Sequence, residues 1–249
     1  MLSLIIIVVA VLLSTWAGWV LWRSIASGTT SSVDDFVQKQ TKYQAAFLSL
    51  ALVVSVLSYA VSAQVAGQVF GIGSLSSEVH AEAFGLAHAA MSSWLQFGIL
   101  LTFGFGLTTY ALCSSAFRGV DNWSVFLRRF GGWVIALAAV NALSEELIYR
   151  GAVVAAAEGQ LYSWQTALLS AVLFSIAHVR GQANGAIVVI GSAVVGWFFA
   201  QSVMQTQGLF WAWCMHFVQD IVIFAAFIAE VANSAFERDV AEARHLSIR

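Results

Sequence analysis

The chain has 249 residues, of which 60% are apolar and only 10% charged, and its formal net charge is -2. A soluble single domain does not have this composition. The near-neutral balance and the scattered basic residues also exclude a surface that tracks a phosphate backbone, so nucleic acid is dropped as a partner and membrane lipids take its place.

A hydrocarbon core about 30 Å thick is crossed by roughly 20 apolar residues in a helix. In chain order, apolar runs interrupted by charged or Gly/Ser-rich stretches predict seven helices, at 2–22, 45–65, 91–117, 131–157, 164–179, 185–203 and 209–231. The expected fold class is therefore all-α, a polytopic transmembrane bundle of about seven spans. The first run is longer than a signal-peptide core and lacks a small-residue cleavage pattern before Arg23, so it reads as an uncleaved span. Two connections are long. Residues 23–44 are polar and Ser/Thr-rich, whereas 66–90 are Gly/Ser-rich and carry Glu78, His80, Glu82 and His88. His80 and His88 read as hydrogen-bonded structure. Cys113 and Cys214 lie in apolar stretches, too far apart in sequence to form a metal or redox spacing.

Basic residues set the orientation, because cytoplasmic loops are enriched in Lys and Arg. Arg23, Lys39 and Lys42 fall in the first connection, Arg118, Arg128 and Arg129 in the third, Arg180 in the fifth, and Arg238, Arg244 and Arg249 in the tail. The second, fourth and sixth connections have none. This alternation predicts an external N-terminus and a cytoplasmic C-terminus. Trp16, Trp19, Trp22, Trp123 and Trp211 lie near predicted helix ends and read as interfacial anchors.

A charged side chain at the centre of a membrane helix costs at least ~2.5 kcal/mol, so each one needs a reason. Here they cluster in the last four helices. The fourth carries Glu145, Glu146 and Arg150, the fifth Phe174 and His178, and the seventh His216, Gln219 and Asp220. At about 1.5 Å per residue from the external ends, Glu145 lies about 20 Å deep, His178 about 21 Å, His216 about 12 Å and Asp220 about 18 Å. One polar chamber nearer the cytoplasmic face could hold all four, with water entering from that side. Residues four apart share a helix face, which pairs Glu146 with Arg150 and His216 with Asp220. Pairing lowers the cost of the Glu146 charge and leaves Glu145, without such a partner, as the better candidate for a general base. Asp220 would orient the His216 imidazole. Phe174 stacks one turn from His178 and reads as packing.

Three motifs result: EELIYR at 145–150, FSIAH at 174–178 and HFVQD at 216–220. In this order and on separate helices they resemble the CAAX protease and bacteriocin-processing (CPBP) membrane proteins, marked by EExxxR, FxxxH, and a His four residues before Asn or Asp. The resemblance covers about 131–231 and leaves the first three helices outside. It implies an intramembrane endopeptidase in which Glu145, assisted by Glu146 and His178, activates a water against the scissile amide of a membrane-associated, prenylated or hydrophobic peptide. His216 and Asp220 occupy the positions that the family uses to stabilise the oxyanion. Best-known members have Asn where this chain has Asp220, and an ionised Asp cannot donate a hydrogen bond, so Asp220 takes a supporting role.

Two Glu and two His are also adequate zinc ligands, although the HExxH spacing is missing, which leaves zinc open as a cofactor. The implied organisation is an N-terminal membrane region over 1–130, a catalytic helical core over 131–231 and a cytoplasmic tail over 232–249, in a prokaryotic cytoplasmic membrane. Two other classes compete with proteolysis. A non-catalytic immunity or regulatory protein on the same fold would tolerate Glu145→Gln, and a proton-coupled transporter would show repeats and polar residues at several depths, which the sequence lacks.

Overall fold

The structure is a computed structural model that describes residues 1–26, 30–75, 81, 93–179 and 185–247. Glu78, His80, Glu82, His88, Arg180 and Arg249 lie outside the described residues. Among the described residues every regular element is helical. The helices are α1 (Leu2–Leu21), α2 (Val33–Val69), α3 (Trp94–Cys113), α4 (Trp123–Glu146), α5 (Val153–Ala157), α6 (Ser163–Ala177), α7 (Gly185–Thr206) and α8 (Phe210–Ser247). A π-helical turn at Leu147–Ala152 joins α4 to α5, so that Trp123–Ala157 forms one span. Among the described residues six segments are long and apolar enough to cross a membrane, and α6 is a seventh, shorter apolar helix. The protein is a polytopic helical bundle.

Its outer surface shows what surrounds it. Phe103 and Leu107 on α3 are 72% and 70% exposed, and Leu13, Val56, Ile135, Ile187 and Ile190 are also exposed. Large apolar side chains facing outward on most spans fit lipid as the solvent, where helices satisfy their own backbone hydrogen bonds and need no polar exterior.

Local chemistry explains where the helices begin. The Ser32 hydroxyl accepts the Asp35 amide at 3.2 Å, that of Ser93 accepts Gln96 at 3.4 Å, and the Asn122 side chain accepts Val125 at 3.1 Å. Each satisfies an amide that the first turn leaves without a partner. Asp34 and Asp35 in the first turn of α2 complement its dipole, and Asp35 pairs with Lys39 at 3.0 Å. This is why α2 starts twelve residues before the predicted 45: capping and charge pairing extend the helix through a polar stretch that apolarity alone reads as loop. At the other end of the chain, α8 runs past 231 to Ser247, so most of the predicted tail continues this helix.

The helices pack as neighbours in pairs: α3 and α4 against α8, α2 against α4, and α6 against α7. One core joins Phe36 and Val37 of α2, Phe126 and Phe130 of α4, and Phe224 and Ile228 of α8. The starts of α2 and α4 therefore share one end of the bundle, which brings the basic residues of the first and third connections to the same end. Near the opposite end, the turn between α7 and α8 is clamped to the chain leaving α2, where Leu209 and Phe210 donate to the carbonyls of Gly71 and Ile72. Gly73, at φ +82°, packs directly on Gly208 there and leaves no room for a side chain. Trp16 and Trp123 are exposed, as anchoring requires, but Trp211 is only 5% exposed and packs on Gly98 of α3. A position near a helix end does not show which way the ring faces.

Candidate active site

The EELIYR segment spans the passage from α4 into the π-helical turn. Such turns add a residue within a helix and commonly occur at functional sites. This one is braced from two sides. The Ser170 hydroxyl on α6 donates to the Tyr149 carbonyl at 2.7 Å. The Tyr149 hydroxyl lies 2.8 Å from Thr15 Oγ1 on α1, and because Thr15 gives its own hydrogen to the Val11 carbonyl, Tyr149 is the donor. The ring of Phe70 fills the space beside Gly151 that a side chain would need.

Glu146 and Arg150 form the ion pair that their spacing predicts, at 3.0 Å, with both side chains fully buried. The same carboxylate oxygen, Glu146 Oε1, receives His216 Nδ1 from α8 at 2.7 Å. Arg150 also lies under two aromatic faces, 4.0 Å from the Phe174 ring and 4.8 Å from that of Phe199. A guanidinium without water is stabilised by such faces, which gives Phe174 a larger part than packing.

With Nδ1 engaged, the other nitrogen of His216 faces the remaining carboxylates. Nε2 is 3.8 Å from Glu145 Oε2 and 3.6 Å from Asp220 Oδ2. When His216 is protonated, three carboxylates face two cations, Arg150 and His216. Glu145 is the most exposed of the three, with 14% of its side chain accessible against 5% for Asp220 and none for Glu146. Its Oε2 is itself buried and has no hydrogen-bond partner among the described residues.

His178 caps the end of α6 and approaches this cluster through Phe174. Its ring centroid is 4.6 Å from that of Phe174, which in turn is 5.6 Å from that of His216. His178 Nδ1 lies 2.9 Å from the Phe174 carbonyl, which can only accept. The neutral ring therefore carries its proton on Nδ1 and keeps a lone pair on Nε2. Depth alone placed His178 beside Glu145; among the described contacts it is the Phe174 ring that links the two histidines.

Two site residues were missed in the sequence. Asn141, one turn before Glu145, donates from Nδ2 to Glu145 Oε1 at 3.2 Å and to Asp220 Oδ2 at 2.9 Å. Gln44 of α2, 3% exposed, donates to Asn141 Oδ1 at 2.9 Å. The available signal was polarity: an amide in the middle of an apolar span, four residues from a glutamate. Among the described residues, no group of three or more His, Cys, Asp or Glu side chains is arranged to hold a metal ion. The Glu146 oxygen that meets His216 is already shared with Arg150.

Residues 128–222 match the family described as type II CAAX prenyl endopeptidase Rce1-like. The match runs from the start of α4 into α8 and takes in EELIYR, FSIAH and HFVQD, in agreement with the resemblance that these motifs carry. No curated protein and no solved structure matches the chain. The match to this family and the six long apolar helices among the described residues together support an integral membrane protein. Gln44 lies outside the matched segment, on a helix the family model does not cover.

Proposed function

We propose that the protein is a glutamate-dependent intramembrane endopeptidase acting on a membrane-associated, prenylated or otherwise hydrophobic peptide, in a prokaryotic cytoplasmic membrane. The observation that carries this reading is the convergence of three carboxylates, Glu145, Glu146 and Asp220, from two membrane helices on the His216 imidazole.

Glu145 is the general base. Its buried Oε2, without a hydrogen-bond partner among the described residues, takes a proton from a water admitted with the substrate as the water oxygen attacks the scissile carbonyl carbon. Glu146 holds His216 rather than sharing the proton transfer, since its Oε1 is engaged by both Arg150 and His216. That fixes the ring so that protonated Nε2 can donate to the developing oxyanion, with Asp220 supporting the charged imidazole. His178 presents Nε2 to the attacking water or the leaving nitrogen. The proton held by Glu145 passes to that nitrogen as the C–N bond breaks.

The test is cleavage of a panel of membrane-tethered and prenylated reporter peptides by the purified protein, beside Glu145→Gln and a chelator-treated sample. Cleavage by wild type and none by Glu145→Gln is the expected result. Equal cleavage by both overturns the assignment of the base, and loss on chelation alone shows that zinc takes part. A wild-type protein that cleaves nothing in the panel overturns proteolysis in favour of a binding role.

A further inference from the structure

The two amides beside the carboxylates form a directed chain. Gln44 Nε2 donates to Asn141 Oδ1, and Asn141 Nδ2 donates to both Glu145 and Asp220. The direction is forced. Rotating the Asn141 amide by half a turn would set its oxygen against two carboxylates and its NH2 against another NH2. Both Asn141 protons and one oxygen lone pair are thus used, and the side chain has a single orientation. It touches Glu145 through Oε1 only, which leaves Oε2 toward His216.

We infer that Asn141 is a positioning residue of the site, locked by Gln44, and that α2 is thereby part of the catalytic framework although it lies outside the family segment. The inference rests on the proteolytic reading above. Asn141 performs no proton transfer. It holds the base and the His216 partner at a fixed separation, from a helix face that also carries Glu145. Gln44 matters because its donated bond holds the Asn141 amide in the orientation that the two carboxylates require.

That dependence gives the test, with kcat and KM measured on any cleaved reporter. Asn141→Leu removes both donors, and kcat should fall about 10- to 100-fold with KM unchanged, the scale of a misplaced catalytic group. Gln44→Glu places an acceptor against Asn141 Oδ1, so that the amide can no longer satisfy α2 and the two carboxylates together, and should reproduce that loss. Gln44→Met removes one bond without inverting the amide and should cost clearly less. Adding Asn141→Leu to Gln44→Glu should cause little further loss, because both act through the same donors. A kcat near wild type in Asn141→Leu, while Glu145→Gln is inactive, overturns the inference and leaves the proteolytic reading intact. Equal losses in Gln44→Glu and Gln44→Met also overturn it, as they would show mere loss of packing. A fully active Glu145→Gln removes the proteolytic reading, and this inference with it.

Discussion

His216 Nδ1 and Arg150 Nη1 meet at one oxygen, Glu146 Oε1, at 2.7 and 3.0 Å. One buried carboxylate thus ties a helix crossing in one direction to a histidine on its neighbour. Removing that carboxylate strands a guanidinium that has no access to solvent. Glu146→Ala should lower stability by about 3–5 kcal/mol, the usual cost of leaving a buried charge unpaired. Unfolding in mixed micelles measures it. The double variant Glu146→Leu/Arg150→Met removes both charges and should recover much of that loss in stability while remaining inactive. A Glu146→Ala protein as stable as wild type would contradict the pairing.

Phe174 contacts Arg150, His178 and His216 with one ring. Phe174→Leu keeps an apolar side chain but withdraws the π face from the guanidinium, at a cost of about 2 kcal/mol for a desolvated cation. A double-mutant cycle with Arg150→Met isolates this contribution, since the face is worth nothing once the cation is gone. A coupling near zero would mean that Phe174 acts by volume alone.

Tyr149 and Thr15 connect the π-helical turn to α1. Thr15→Val is nearly isosteric and leaves the buried Tyr149 hydroxyl without an acceptor, so it should cost about 1–3 kcal/mol. Tyr149→Phe added to it removes the stranded group and should restore part of the loss. Thermal unfolding of the single and double variants decides between this and a purely apolar contact.

What the sequence made legible was whatever depends on one helix at a time. The Glu146–Arg150 pair follows from i,i+4 spacing and is present as expected. Depth, at about 1.5 Å per residue, set Glu145 about 8 Å deeper than His216 and so did not show that they approach to 3.8 Å, in part because the π-helical turn beside Glu145 departs from that rise. Contacts between helices were less accessible. That Glu146 rather than Asp220 makes the short bond to His216 depends on the rotation of α4 and α8 about their axes, which spacing along either helix leaves free. Gln44 was hidden for a related reason. The polar start of α2 lacks the apolarity that marks a span, so Gln44 read as loop, whereas capping by Ser32 and the Asp35–Lys39 pair continue the helix past it and carry its side chain to Asn141.

Asp220 brings both effects together. Its Oδ2 accepts from Asn141 at 2.9 Å and stands 3.6 Å from His216 Nε2. Replacement by Asn keeps a carbonyl for Asn141 and adds an NH2 group that can donate to an oxyanion, in exchange for the negative charge that supports protonated His216. Replacement by Leu offers neither acceptor nor donor. Asp220→Asn should therefore retain cleavage within about tenfold of wild type, whereas Asp220→Leu should lose about 100- to 1000-fold in kcat, the range for an oxyanion donor put out of action, here His216 without its supporting carboxylate. Reporter cleavage with matched protein amounts checks both. If Asp220→Asn is as inactive as Asp220→Leu, the charge itself is essential, and His216 must be protonated to work. If both cleave like wild type, His216 is held by Glu146 alone and the Asn141–Asp220 bond does not matter to the reaction.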